Sequence, residues 1–191
     1  MEQTSDADQR GECSSFGPET VSGFLADSYE KGAKKVGHQV KRVNVGDLEF
    51  DPILHKGYKE VQTLEPDLLM VQQSIKWADH LVIVYPNWWG SMPALFKGLF
   101  DRMLLPGFAF NFRDGKHLKY LTGKSARVVV TMDVMPKLFK TRTSRTMKNS
   151  ILNFCGIYPV RISEIGPIKE IIDKKKTEWG EAFTNFGKRG I

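Results

Sequence analysis

From residue 20 onward, the apolar positions of the chain switch repeatedly between a helical period and a strand period. In residues 20–36, TVSGFLADSYEKGAKKV, the positions Val21, Phe24, Leu25, Ser28 and Tyr29 share one helical face. Thr20 is suited to cap the start, and Gly37 stands just past the end. Residues 38–45, HQVKRVNV, alternate apolar and polar and read as a strand, whereas DPILHKGYKEVQ has no clean period and reads as a loop. Residues 65–78, EPDLLMVQQSIKWA, open with acid and proline and carry Leu68, Leu69, Gln72, Ile75 and Lys76 around a helix. That helix feeds directly into HLVIVY, whose unbroken apolar run is that of a strand buried on both faces. Then follow a helix in PALFKGLFDRML, a strand in SARVVVTM, a helix near MKNSILNF, a strand in YPVRISEIG and a last helix from Ile168 to about Phe186. Such alternation predicts an α/β fold, a parallel sheet with helices on both faces. Ligands of such sheets bind at the carboxyl ends of the strands, which directs attention to the loops after Val45, Tyr85, Met132 and Ile165.

Composition narrows the function classes. A chain of 191 residues, 41% of them apolar, can bury a substantial core, so disorder is excluded as its main state. Lys and Arg number 28 against 22 Asp and Glu; the excess of +6 favours an anionic ligand but falls short of a dedicated nucleic-acid binder. Cys13 and Cys155 are far apart and His38, His55, His80 and His117 are scattered, so neither a disulfide framework nor a metal site is expected. A reducing, cytoplasmic setting fits that usage. The first twenty residues lack the apolar run of a secretory signal, and LVIVY and PALFKGLF are too short or too charged to span a membrane.

The segment richest in chemistry is YPNWWGSMPALFKGLFDRMLLPGFAFNF, from Tyr85 to Phe112. It places Trp88, Trp89, Gly90, Pro86 and Pro93 on the turn between a buried strand and the next helix. Backbone groups at Asn87, Trp88, Trp89 and Gly90 can hydrogen-bond the polar edge of a planar ring while an indole packs near its face. The same two indoles serve equally well as core or dimer-interface aromatics.

This stretch, together with IKWADHLVIVYP before it and NFCGIYPVRISEIGP after it, resembles the flavodoxin-like NAD(P)H:quinone oxidoreductases, the DT-diaphorase-like family that includes ancillary subunits of glutathione-gated potassium efflux systems. The resemblance covers roughly residues 20 to 187. It implies a flavodoxin-like three-layer sandwich with FAD or FMN as cofactor and NAD(P)H as cosubstrate, passing hydride to a quinone or similar acceptor, and a homodimer. Carried over by position, Pro86 to Gly90 match the loop that meets the isoalloxazine ring. Thr131, Met132 and Asp133 match the turn bordering its pyrimidine side. Phe108, Phe110 and Phe112 match a segment that helps form the partner subunit's pocket. Lys97, Gly98, Asp101 and Arg102 belong to the same signature, though their spacing also fits a plain i,i+4 ion pair and a close-packed helix.

Two departures from the family stand out. Its phosphate-binding His-Pro-x-x-x-Ser loop survives here only as SFGPET, with Ser15 and Phe16 at the His-Pro positions and Thr20 at the serine; Thr20 and the amides of Val21 and Ser22 remain able to cradle phosphate. The apolar strand expected before that loop is absent or degenerate, because DADQRGEC (6–13) offers only Ala7 and Cys13 as apolar positions. Residues 1–14 therefore read as a polar, disordered tail and 15–191 as the domain. In the flavodoxin strand order the lost strand lies inside the sheet. The second departure is between Asp133 and Ile157, where the Tyr and His that some relatives use are missing. Lys137, Lys140, Arg142, Arg145 and Lys148 form a basic run there instead, suited to a dinucleotide phosphate, to an acidic partner or to open solvent. Cys155 reads as buried and inert. The alternative to an enzyme is a weak or inactive relative acting as a binding or regulatory subunit, or an incomplete gene product.

Overall fold

A computed structural model describes residues 20–136, 142–169 and 172–191. The expected tail 1–14, the SFGPET loop apart from Thr20, and Lys137 and Lys140 lie outside the described residues. Among the described residues three parallel strands form the sheet: β1 (His80–Pro86), β4 (Ser125–Thr131) and β5 (Val160–Ile165), in the order β1-β4-β5. A separate antiparallel hairpin joins β2 (Phe110–Arg113) to β3 (Lys116–Lys119) across Asp114 and Gly115, both at positive φ as a tight two-residue hairpin turn requires.

Helices cover both faces. On one lie α1 (Val21–Lys35) and α6 (Asp173–Arg189), and on the other α2 (Pro66–Trp77) and α3 (Ala94–Met103). A helical stretch made of α4 (Thr143–Arg145), a π-helical turn (Thr146–Leu152) and α5 (Asn153–Cys155) links β4 to β5. The three-layer α/β sandwich of the flavodoxin-like fold is thus present. Its core is split by the period-2 alternation of β4. Ala126, Val128 and Val130 face the α2–α3 layer, while Val129 packs with Leu25, Tyr29 and Phe183 of the α1–α6 layer. Helices α1 and α6 approach backbone to backbone. A Cβ on Gly32 would stand 2.0 Å from the Thr184 carbonyl oxygen, and one on Gly187 would stand 2.0 Å from that of Tyr29.

Most sequence-based expectations match in type and place. Thr20 caps α1, its Oγ1 accepting from the Gly23 amide at 3.0 Å, and Pro66 opens α2. The buried face of α2 is Leu68, Val71 and Ile75, so Leu69 points outward. The last helix begins at Asp173, five residues later than expected.

One expected element is corrected. Residues 38–44 form no strand and end in a single 3-10 turn, Val45–Asp47. Alternation prepares a segment for pairing, but a strand exists only when a neighbour accepts its hydrogen bonds. Among the described residues β1 is bonded to β4 alone. Between its open edge and residues 38–45 runs a cavity of about 850 Å³. The two segments have neither closed up nor paired.

Candidate functional site at the carboxyl end of the sheet

The strands place their carboxyl ends side by side, with Pro86 opposite Thr131 and Thr131 opposite Ile165. Thr131 gathers the segments singled out from the sequence. Its Oγ1 lies 2.8 Å from Ser22 Oγ at the start of α1, and its carbonyl accepts from the Asn87 amide at 2.7 Å. The turn after β1, the start of α1 and the end of β4 therefore meet at one fully buried threonine.

Beyond Asn87 the chain makes a tight turn. Trp88 and Ser91 exchange both backbone hydrogen bonds at 2.9 Å, with Trp89 at φ 52° and Gly90 at φ 76° between them. Two successive positive φ values define a type I′ turn, and a tryptophan there is uncommon. The Trp89 side chain is wholly in solvent and that of Trp88 is exposed at 41%, so neither indole belongs to the core. The amides of Trp89 and Gly90 make no hydrogen bond among the described residues, and Asn87 Oδ1 is buried with no partner among them. A cluster of idle donors beside an orphaned acceptor suits the mixed hydrogen-bonding edge of a heteroaromatic ring. At the start of α1 the Val21 and Ser22 amides are likewise unpaired among the described residues, as first-turn amides are, while Ser22 Oγ is spent on Thr131.

Met132 is buried, its amide bonded to the Ile165 carbonyl and its own carbonyl accepting from Ile168; only its backbone can border a ligand. Asp133 is exposed and paired with Lys169 at 2.9 Å. Tyr85, the last side chain below the turn, is fully buried. Burial pushes its phenol up to about 12, and its oxygen lies 3.3 Å from Thr143 Oγ1. This contact brings the start of α4, with exposed Arg142 and Arg145 beside it, under the end of β1.

Lys97 and Asp101 form an exposed i,i+4 pair at 2.7 Å. Gly98 and Arg102 do more than the sequence discloses. A Cβ on Gly98 would lie 2.6 Å from Pro52 Cβ, so glycine lets the 51–65 loop sit against α3. Arg102, with no exposed surface, donates to the carbonyls of Asp51 and Thr63 and to both carboxylate oxygens of Glu65. A signature arginine on a helix gives no sign of a partner 37 residues away. The hairpin aromatics form their own group: Phe110 meets Phe154 and Tyr58 edge-on, and Phe112 stacks on His117. Phe112 and Tyr58 are exposed. Cys155 is buried and its thiol pushed up to about 11 by that burial, which keeps it inert. Among the described residues no group of His, Cys, Asp and Glu is placed to hold a metal, and no helix is long and apolar enough to cross a membrane.

Residues 13–183 match the model of a protein family described as having a flavodoxin-like fold. The chain is 28% identical over 172 residues to an uncharacterised NAD(P)H oxidoreductase of Haemophilus influenzae, covering 83% of this chain and 84% of that one. It is 28% identical over 166 residues to a ribosyldihydronicotinamide dehydrogenase (quinone) of Pongo abelii, covering 82% and 71%. Its fold is similar to that of an FMN-dependent NADH-azoreductase from Bacillus anthracis solved in complex with FMN, with a TM-score of 0.74 over 91% of this chain and 92% of the other at 15% identity.

Proposed function

Because this chain belongs to the flavodoxin-like fold family that its residues 13–183 match, we propose that it is a flavin-dependent NAD(P)H dehydrogenase with a quinone or similar acceptor. The observation that carries the reading is the convergence at Thr131, where the Trp88–Trp89–Gly90 turn, the start of α1 and the end of β4 are tied into one unit. Bound FAD or FMN would supply the two-electron carrier that takes hydride from NAD(P)H and passes it to the acceptor.

The chain's own residues supply position and polarity. The Trp89 and Gly90 amides and Asn87 Oδ1 would hold the ring edge, with Trp88 against its face. Pro86 enters the turn with φ restricted, which limits how far the loop can drift. Thr20 and the Val21 and Ser22 amides would hold the phosphate, with the positive end of α1 behind them; no acidic side chain lies in that first turn. The backbone of Thr131, Met132 and Asp133 would border the pyrimidine side. Tyr85 is a neutral phenol at pH 7, and burial, by pushing it up to about 12, widens the margin by which it stays so. Arg142 and Arg145 are placed to attract the phosphates of NAD(P)H. A homodimer is supported by the exposed Tyr58 and Phe112 flanking buried Phe110, an apolar strip for a second copy to cover. Cytoplasmic residence accords with the sparing cysteine content.

The test is the absorbance of the purified protein. Flavin bound at one equivalent, bleached by NAD(P)H and restored by a quinone, is the expected result. A colourless protein that neither FAD nor FMN reconstitutes would overturn it and leave a binding or regulatory relative.

A further inference from the structure

We propose that Thr143 and Ser144 are positioning residues for the nucleotide: together they pin the basic turn 142–145 across the end of the sheet, so that its two guanidiniums stand where the phosphates of NAD(P)H arrive. The register of the sheet supplies the base. Tyr85 of β1 lies opposite Val130 of β4, and Val130 lies opposite Glu164 of β5, so the three form a row across the sheet. That row is the one directly below Pro86, Thr131 and Ile165, where the site is built. Residues in register on neighbouring parallel strands point to the same face, here the face covered by α2 and α3, where Tyr85 and Val130 are both buried. Thr143 Oγ1 lies 3.3 Å from Tyr85 Oη at one end of the row, and Ser144 Oγ donates at 2.6 Å to the Glu164 carboxylate at the other. Thr143 and Ser144 are themselves buried, at 3% and 2% exposure.

The reach of this pair follows from backbone geometry. Tyr85 and Glu164 stand two strand spacings apart, about 9.6 Å, with Val130 between them. Consecutive residues of a helical turn are about 100° apart around its axis, so Thr143 and Ser144 diverge and each meets a different outer strand. One hydroxyl alone would let the turn pivot about its contact, whereas two contacts on opposite flanks of β4 fix its orientation. With positions 143 and 144 turned toward the sheet, Arg142 and Arg145, three apart in a helical backbone, share the opposite side, and both are exposed. The Thr146 amide closes the turn that carries them by donating to the Arg142 carbonyl at 2.8 Å. Guanidiniums on a fixed base lose less conformational freedom on gripping a phosphate than guanidiniums on a free loop. The gain falls on nucleotide binding and not on the hydride step, because the contacts are the same in the ground and transition states. The inference rests on the reading of Arg142 and Arg145 as the grip on the NAD(P)H phosphates, and it names what holds them in place.

The test uses the flavin-loaded full chain and compares Thr143→Val with Ser144→Ala, which removes both hydroxyls, against Thr143→Ser, which keeps them, and against Arg142→Ala with Arg145→Ala. Loss of the hydroxyls should raise the apparent KM for NAD(P)H about three- to tenfold while kcat stays within about twofold of the native value. Trypsin, which reads the freedom of the turn without any turnover, should cut that variant after Arg142 and Arg145 at least about tenfold faster. Thr143→Ser should keep the native KM and the native cleavage rate. Removing the hydroxyls from the variant that lacks both arginines should change KM no further, because nothing remains to be positioned. A native KM without the hydroxyls, where loss of the arginines does raise it, overturns the proposal and leaves the nucleotide reading standing. A native KM without the arginines overturns both. A rise in KM as large in the absence of the arginines as in their presence, or one matched by a fall in kcat, also overturns it, since the hydroxyls then hold the sheet and not the grip. Should the variant lacking both hydroxyls not fold, Ser144→Ala alone carries the same comparison, with a rise in KM of about two- to threefold expected.

Discussion

Replacing Arg102 by methionine removes a guanidinium that holds an entire loop. In the native chain its two terminal nitrogens reach the Asp51 carbonyl, the Thr63 carbonyl at 2.9 Å and the Glu65 carboxylate at 2.8 and 3.1 Å. Charge-assisted bonds of this kind are worth about 1.5–3 kcal/mol each when one partner is removed, so a plain sum over the set exceeds about 6 kcal/mol. Two features reduce it. Glu65 retains 29% side-chain exposure and can return to water, and Arg102 Nε, buried without a partner among the described residues, ceases to be a cost. A net loss of about 3–4 kcal/mol remains, in the range for breaking a buried pair. For a chain of this length that lowers the melting temperature by about 6–16 °C. Thermal unfolding by circular dichroism measures it, and limited trypsinolysis shows the cause, because Lys56 and Lys59 in the released loop become the early cut sites. Adding Glu65→Gln to the variant should cost about 1 kcal/mol or more less than in the native background, since the pair acts as a unit. A melting temperature lowered by less than about 2 °C with an unchanged cleavage pattern would show that Arg102 does not hold the loop.

His80 sets a pH dependence. Burial, with Arg127 and Arg161 nearby, lowers it from 6.5 to about 4, so the unfolded chain takes the proton first and stability falls as pH drops from about 6.5 to about 4, with no effect above. Discounted for partial solvent screening, the loss is about 2 kcal/mol; urea midpoints at pH 7.5 and 5 should differ less for His80→Phe than for the native chain. Gly90→Val should lower flavin content and cost about 1–2 kcal/mol through φ 76° alone, because nothing lies within 4 Å of a Cβ built there; unchanged flavin content would remove the turn from the site. Arg142→Ala with Arg145→Ala should raise the apparent KM for NAD(P)H and reduce its salt dependence, and kinetics identical to the native protein at low and high salt would leave these side chains as solvated surface.

The local pattern of the chain was sufficient for the helices and for β1, β4 and β5, because each carries its period and its end signals in consecutive residues: Thr20 before α1, Pro66 opening α2, the apolar run of HLVIVY. The aromatic turn was equally legible, since an Asn-Trp-Trp-Gly sequence between a buried strand and a helix leaves little choice of place. Three things were not. Thr131 joins Ser22 across 109 residues and Asn87 across the sheet, and no periodicity announces a contact that parallel strand order creates. Arg102 belongs to a signature in which the spacing announces only the Lys97–Asp101 pair, yet its partners lie on a loop that only Gly98 allows close enough. Residues 38–45 alternate as a strand does, and the structure leaves them unpaired beside the cavity. Propensity is a property of a segment, whereas a β-ladder is a property of two, so whether that alternation becomes a strand is decided by what stands next to it in space.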